Sequence, residues 1–141
     1  ALKHIRRGVF LDLKKEKAVN QKLIEKLQVK CESMKQKVTN LSGGNQQKVI
    51  IGRWLLTNPD FLILDEPANG LDPFGIRQLR EMLVSFAESG MTVLVSSHIL
   101  GEIQQTADYI GILANGVLGY QGGQQENLEE LFTEIVSRNR G

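Results

Sequence analysis

Apolar residues recur at four-residue spacing in the first third of the chain: Val19, Leu23 and Leu27, with Ile24 beside them, form one stripe while Lys and Glu fill the opposite face. That spacing predicts a helix from Asp12 onward, with Asp12 as its N-cap. A polar connection around residues 32–39 leads to Leu41-Ser42-Gly43-Gly44. A second helix is expected over Asn45–Thr57, on the spacing of Val49, Ile50, Trp54 and Leu55, with Ser42 as its cap and Asn58-Pro59 as its stop.

The period then changes. Phe61-Leu62-Ile63-Leu64 is a short continuous apolar run ending in Asp65-Glu66-Pro67, the pattern of a strand buried on both faces. Asp72-Pro73 reads as an N-cap and first-turn proline for a helix whose buried face is Ile76, Leu79, Leu83 and Phe86, closed by Gly90. Met91–Val95 is expected to be a second buried strand, ending at Ser96-Ser97-His98, with a short helix over about 100–107 behind it. Asn115-Gly116 between Tyr109–Leu113 and Val117–Tyr120 predicts a type I′ hairpin. Asn127 with Glu130 predicts a capping box for a last helix carrying Leu128, Leu131, Phe132, Ile135 and Val136. Residues 1–57 thus read as all-helical and the remainder as an α/β arrangement with a mainly parallel sheet.

Length and composition narrow the picture. The chain has 141 residues and 41% hydrophobic positions, enough for one compact domain or part of a larger one. No apolar run approaches the ~18–20 residues of a membrane helix and no signal-peptide pattern opens the chain, so a soluble cytosolic protein is expected. Cys31 is alone, which removes an internal disulfide and a multi-thiol metal site. Lys+Arg 17 against Asp+Glu 16 conceals an asymmetry: residues 1–40 hold eleven Lys/Arg and four Asp/Glu, and residues 41–141 hold six and twelve. The basic part is interleaved with Leu and Val rather than aromatics, as on the solvated face of a helix.

Three segments can carry chemistry. Ser42-Gly43-Gly44 at a helix start offers backbone N–H groups, partial positive charge and a hydroxyl to an anionic oxygen such as a terminal phosphate. Asp65-Glu66 at the carboxyl end of a strand can divide labour, one fixing Mg²⁺ and the other accepting a proton from attacking water; in a strand their side chains would point to opposite faces. His98, after the second strand, would lie at the same sheet edge and donate to a phosphate oxygen or hold a water.

In this order the segments resemble the ATP-binding subunits of ABC transporters. Leu41-Ser42-Gly43-Gly44-Asn45-Gln46-Gln47-Lys48-Val49 is similar to the ABC signature, Phe61–Asp65 to the Walker B strand, Asn69-Gly70-Leu71-Asp72-Pro73 to the D-loop and His98 to the switch histidine. The resemblance implies a P-loop NTPase-like α/β fold: a helical subdomain over residues 1–57, then residues 58–141 as the Walker B to C-terminal half of the core. It implies ATP and Mg²⁺ as cofactors, with Asp65 holding the water shell of Mg²⁺, Glu66 polarising the attacking water and His98 reaching the γ-phosphate. Ser42, Gly43, Gly44 and Gln46 would serve a nucleotide held mainly by a partner subunit. Leu71 and Asp72 would lie at the dimer interface. A membrane permease would be the other partner, with the protein on the cytoplasmic face of the membrane.

No glycine is followed by lysine, so the G-x-x-x-x-G-K-[ST] phosphate loop does not occur in these residues. The chain therefore reads as the second part of an ABC ATPase, expected to turn over negligible ATP by itself. Residues 1–58 resemble the second ATPase domain of ribose and galactose importers, and residues 67–141 resemble bacitracin and lantibiotic exporters, as a mosaic would. Two alternative functions are an ABC ATPase acting on nucleic acid and a non-hydrolytic scaffold. The first is disfavoured by few aromatics and no coiled-coil heptads before the signature.

Overall fold

A computed structural model describes residues 6–7 and 10–139. The chain forms two compact units, Ala1–Val95 and Ser96–Gly141.

In the first unit, β1 (Arg6–Arg7) pairs antiparallel with β2 (Phe10–Leu11) before α1 (Leu13–Lys26). This two-residue ladder corrects the all-helical expectation for residues 1–57. Pairs so short leave no periodic signature to read. Residues 1–5 and 8–9 of that stretch lie outside the described residues. Asp12 caps α1 as expected, its Oδ1 accepting from the N–H groups of Lys14 at 3.1 Å and Lys15 at 3.2 Å. A 3-10 turn at Val38–Asn40 leads into α2 (Gly43–Leu55), which begins two residues earlier than the apolar spacing indicates. Asn58 ends the connection in left-handed backbone, φ 50°.

Strand β3 (Phe61–Leu64) pairs parallel with β4 (Thr92–Val95), Leu62 opposite Val93 and Leu64 opposite Val95. Helix α3 (Pro73–Glu88) crosses between them. The core is Ile51 of α2, Leu62 of β3, and Leu79, Met82, Leu83 and Phe86 of α3, joined by Leu27 and Val29. Burial on both strand faces is not observed: Phe61, Ile63 and Leu94 are exposed. The core covers the Leu62 face, and the alternating residues stand on the other.

In the second unit, α4 (Leu100–Thr106) precedes β5 (Tyr109–Ala114) and β6 (Val117–Gly123). They form the expected hairpin, with Asn115 and Gly116 both at positive φ, 52° and 78°, as a type I′ turn requires. Among the described residues, parallel pairing is thus confined to β3 and β4, and the other two ladders are antiparallel. Strand β5 alternates strictly, Ile110, Ile112 and Ala114 buried against Leu128 and Ile135 of α5 (Leu128–Arg138). Asn127 stands at the N-cap of α5 but makes no side-chain capping hydrogen bond, which corrects the capping-box expectation. Its backbone, φ −114° and ψ 57°, lies outside the extended region that aims a cap side chain at the first turn.

The hairpin register slips between Ile112, opposite Tyr120, and Leu113, opposite Leu118, leaving Gly119 as the extra residue of a bulge. A Cβ on Gly119 would collide with Ile135 Cγ2. Gly119→Val is therefore expected to destabilise the second unit by about 1–3 kcal/mol through overpacking, read as a lower denaturant midpoint. No helix among the described residues is long and apolar enough to cross a membrane.

Candidate functional site

Two loops of the first unit meet where α2 and α3 begin. Ser42 is the N-cap residue of α2, with extended backbone (φ −61°, ψ 154°), and no acidic residue occupies the helix's first turn. The N–H groups of a first turn lack intrahelical acceptors and carry the positive end of the helix dipole. Contrary to the capping expectation, the Ser42 side chain makes no capping hydrogen bond. Its Oγ instead accepts from Asn45 Nδ2 at 2.9 Å.

Gly43 and Gly44 allow the two loops to touch. A Cβ on Gly43 would lie 3.3 Å from the Gly70 carbonyl oxygen and 3.6 Å from Leu71 Cδ2, and one on Gly44 would lie 3.6 Å from Gly75 Cα. On the facing side, Asp72 caps α3, its Oδ1 accepting from Gly75 N–H at 2.6 Å. The sequence-predicted residues Ser42, Gly43, Gly44, Leu71 and Asp72 thus share one edge of the unit. Gln46 belongs to the same turn, and its Nε2 donates to the Leu41 carbonyl at 2.8 Å, fixing the loop that precedes α2.

Asp65 and Glu66 follow β3 where its carboxyl end is level with that of β4. The strand stops at Leu64, and Glu66 has φ 44°. The premise of the opposite-face expectation does not hold: alternation requires extended backbone, and Glu66 is left-handed directly before Pro67. A non-glycine residue held there is strained by roughly 1–2 kcal/mol. Its carbonyl accepts from Asn69 N–H at 3.1 Å, closing the turn toward Leu71. His98 belongs to the second unit, exposed, in the segment where Ser97 Oγ accepts from Ile99 N–H at 3.1 Å.

Lys48 and Asn45 stand within the signature segment, but the sequence assigns neither a role of its own. Lys48 is 5% exposed and its Nζ donates to the Gln28 carbonyl at 3.2 Å. Burial pushes its pKa down, nearby Lys30 adds to this, and Glu81 opposes it. Asn45 Oδ1 accepts from Lys30 N–H at 2.8 Å, and the Lys30 ammonium stands 5.6 Å from the centre of the Phe74 ring on α3. The segment 28–30 therefore contacts both helices next to the two loops. Nothing in local spacing marks these contacts, since the partners lie 15 and 20 residues apart.

The ABC transporter family profile matches residues 4–69. The lantibiotic transport ATP-binding protein SrtF of Streptococcus pyogenes is 48% identical over 104 residues, covering 72% of this chain and 45% of that protein. The ribose import ATP-binding protein RbsA of Rhodopirellula baltica is 35% identical over 140 residues, 99% of this chain and 27% of that protein. The chain belongs to the ABC transporter ATPase family. Among solved structures, an ATP-binding cassette of an ABC transporter in its ADP conformation superposes with a TM-score of 0.72 at 27% identity, covering 82% of this chain and 46% of that one. A dimeric bacterial ABC transporter cassette gives 0.70 at 25% identity, covering 88% and 53%. This ABC chain spans about half the length of the solved cassettes, and less of the curated relatives. Both transport classes anticipated from the motifs, lantibiotic and ribose, occur among its relatives.

Proposed function

We propose that this chain is the signature-to-C-terminal part of an ABC ATPase whose ATP hydrolysis drives a solute through a separate membrane permease. The observation that carries the reading is the close approach of the two loops, in which a Cβ on Gly43 would meet Gly70 and Leu71 and one on Gly44 would meet Gly75. It brings the proposed phosphate-binding turn and the proposed dimer-interface loop onto one surface, as a site completed by a second subunit requires.

In this reading Ser42 and Gly44 receive the γ-phosphate of the partner's nucleotide, Gly43 permits the close approach, and Gln46 holds the loop. Leu71 and Asp72 meet the partner, Glu66 is the general base and His98 contacts the γ-phosphate. Mg²⁺ keeps several waters and binds through one or two carboxylates plus phosphates, so the exposed Asp65 fits the role of its protein ligand. Among the described residues no cluster of three or more His, Cys, Asp or Glu forms a self-contained cage, which suits an ion carried in with the nucleotide. The bound ion would supply charge neutralisation for the phosphates.

Residues 1–57 are the proposed helical subdomain that meets the permease at the cytoplasmic face of the membrane, and residues 58–141 the proposed second half of the core. The exposed apolar face of Phe61, Ile63 and Leu94 supports a core completed elsewhere in a longer polypeptide, since parallel sheets are ordinarily covered on both faces. The 141 residues alone are expected to turn over negligible ATP.

The test is ATP-driven association of the full-length polypeptide that carries this segment. Gly44→Asp, which sets a carboxylate against the phosphate, is expected to weaken MgATP-dependent dimerisation by at least about tenfold in light scattering. Unchanged dimerisation would remove the phosphate assignment.

A further inference from the structure

Asn45 lies between two partners whose chemistry fixes its orientation. The Lys30 backbone N–H can only donate, so the atom facing it at 2.8 Å is Oδ1. The amide group is then turned toward Ser42, and Nδ2 donates to Ser42 Oγ at 2.9 Å. A serine hydroxyl has one proton and two acceptor sites. With Oγ accepting from Asn45, the proton cannot be directed at Asn45 and is left for another acceptor. Ser42 is exposed at the start of α2, so that acceptor can come from outside the chain.

We propose that Asn45 is a positioning residue that sets the polarity of the Ser42 hydroxyl, so that Ser42 donates to an incoming phosphate oxygen. This rests on the reading of Ser42 as a phosphate ligand. The direction originates in the backbone of residue 30, passes through the Asn45 amide and ends at Oγ. A hydroxyl already oriented as a donor spends less rotational freedom on binding, and the amide donor polarises it. The same segment is anchored independently by Lys48 Nζ on the Gln28 carbonyl and by Lys30 over the Phe74 ring. The orienting N–H therefore stays in place when Asn45 is replaced.

A double-mutant cycle in the full-length polypeptide tests this, with KM for ATP and kcat measured separately and the melting temperature recorded for each variant. Ser42→Ala is expected to raise KM about tenfold and Asn45→Ala about three- to tenfold. The double variant should be no worse than Ser42→Ala alone. Asn45→Asp keeps the acceptor for Lys30 N–H but replaces the donor with a group that captures the Ser42 proton. It should raise KM at least as much as Asn45→Ala with an unchanged melting temperature. Multiplying effects in the double variant, or an unchanged KM for Asn45→Ala and Asn45→Asp beside a raised one for Ser42→Ala, would overturn the positioning role and spare the phosphate site. An unchanged KM for Ser42→Ala would remove the phosphate site itself, and this role with it.

Discussion

ATP turnover by the full-length polypeptide is expected to fall about 10²–10⁴-fold when Glu66 is replaced by glutamine, while ATP-driven dimerisation persists. The substitution preserves size and hydrogen-bonding reach but removes the proton acceptor. A glutamine amide can still orient a water molecule and cannot take its proton at neutral pH. Glu66 also occupies left-handed backbone, φ 44°, at the end of β3. Strain of that kind persists where the surrounding structure over-determines the backbone, and it concentrates at functional positions. Glu66→Gly separates the two properties: it should be equally inactive, yet more stable by about 1 kcal/mol, because glycine adopts positive φ without the Cβ penalty. Phosphate release gives the first effect and the denaturant midpoint the second. A glutamine variant with native turnover would reassign the base.

The Glu66 backbone also shows where the sequence was a guide and where it was not. Features dictated within a few residues were legible: Asn115-Gly116 at positive φ between two strands, and Asp72 capping α3 through the Gly75 N–H. Their physics is local. The strand faces were not legible, because Phe61-Leu62-Ile63-Leu64 is uniformly apolar and a continuous run carries no information on which face is covered. Ser42 was recognised as the residue before a helix, but its hydroxyl partner was not foreseen. Asn45 takes its orientation from Lys30, fifteen residues away, and only the packed structure brings them together. The proposed site residues were named by type and order, whereas the interaction that orients Asn45 beside Ser42 comes from the connector after α1.

The same connector packs into a core that includes Phe86, 3% exposed on α3. Phe86→Ala is expected to cost about 3–5 kcal/mol, the usual loss for removing a buried aromatic ring and leaving a cavity. Its ring belongs to the cluster of Ile51, Leu62, Leu79, Met82 and Leu83, which unites α2, β3 and α3. Its carbonyl also accepts from Ser89 Oγ at 2.7 Å and Met91 N–H at 3.1 Å at the turn into β4. Alanine keeps those backbone bonds, so the expected loss is one of packing alone. Against a total stability of ~5–15 kcal/mol, the first unit would approach its unfolding threshold at physiological temperature. Val84, two residues earlier and 37% exposed, provides the control, with Val84→Ala expected within about 0.5 kcal/mol of the parent. Hydrogen exchange should lose protection across β3 and β4 in the Phe86 variant and keep it in the Val84 variant. Helix α3 is capped by Asp72 and enters the core through Leu79, Met82, Leu83 and Phe86, so removing the Phe86 ring weakens the packing behind the turn that carries Leu71 and Asp72. Loss of the ring should therefore lower the fraction of molecules able to dimerise without changing the turnover of those that remain folded.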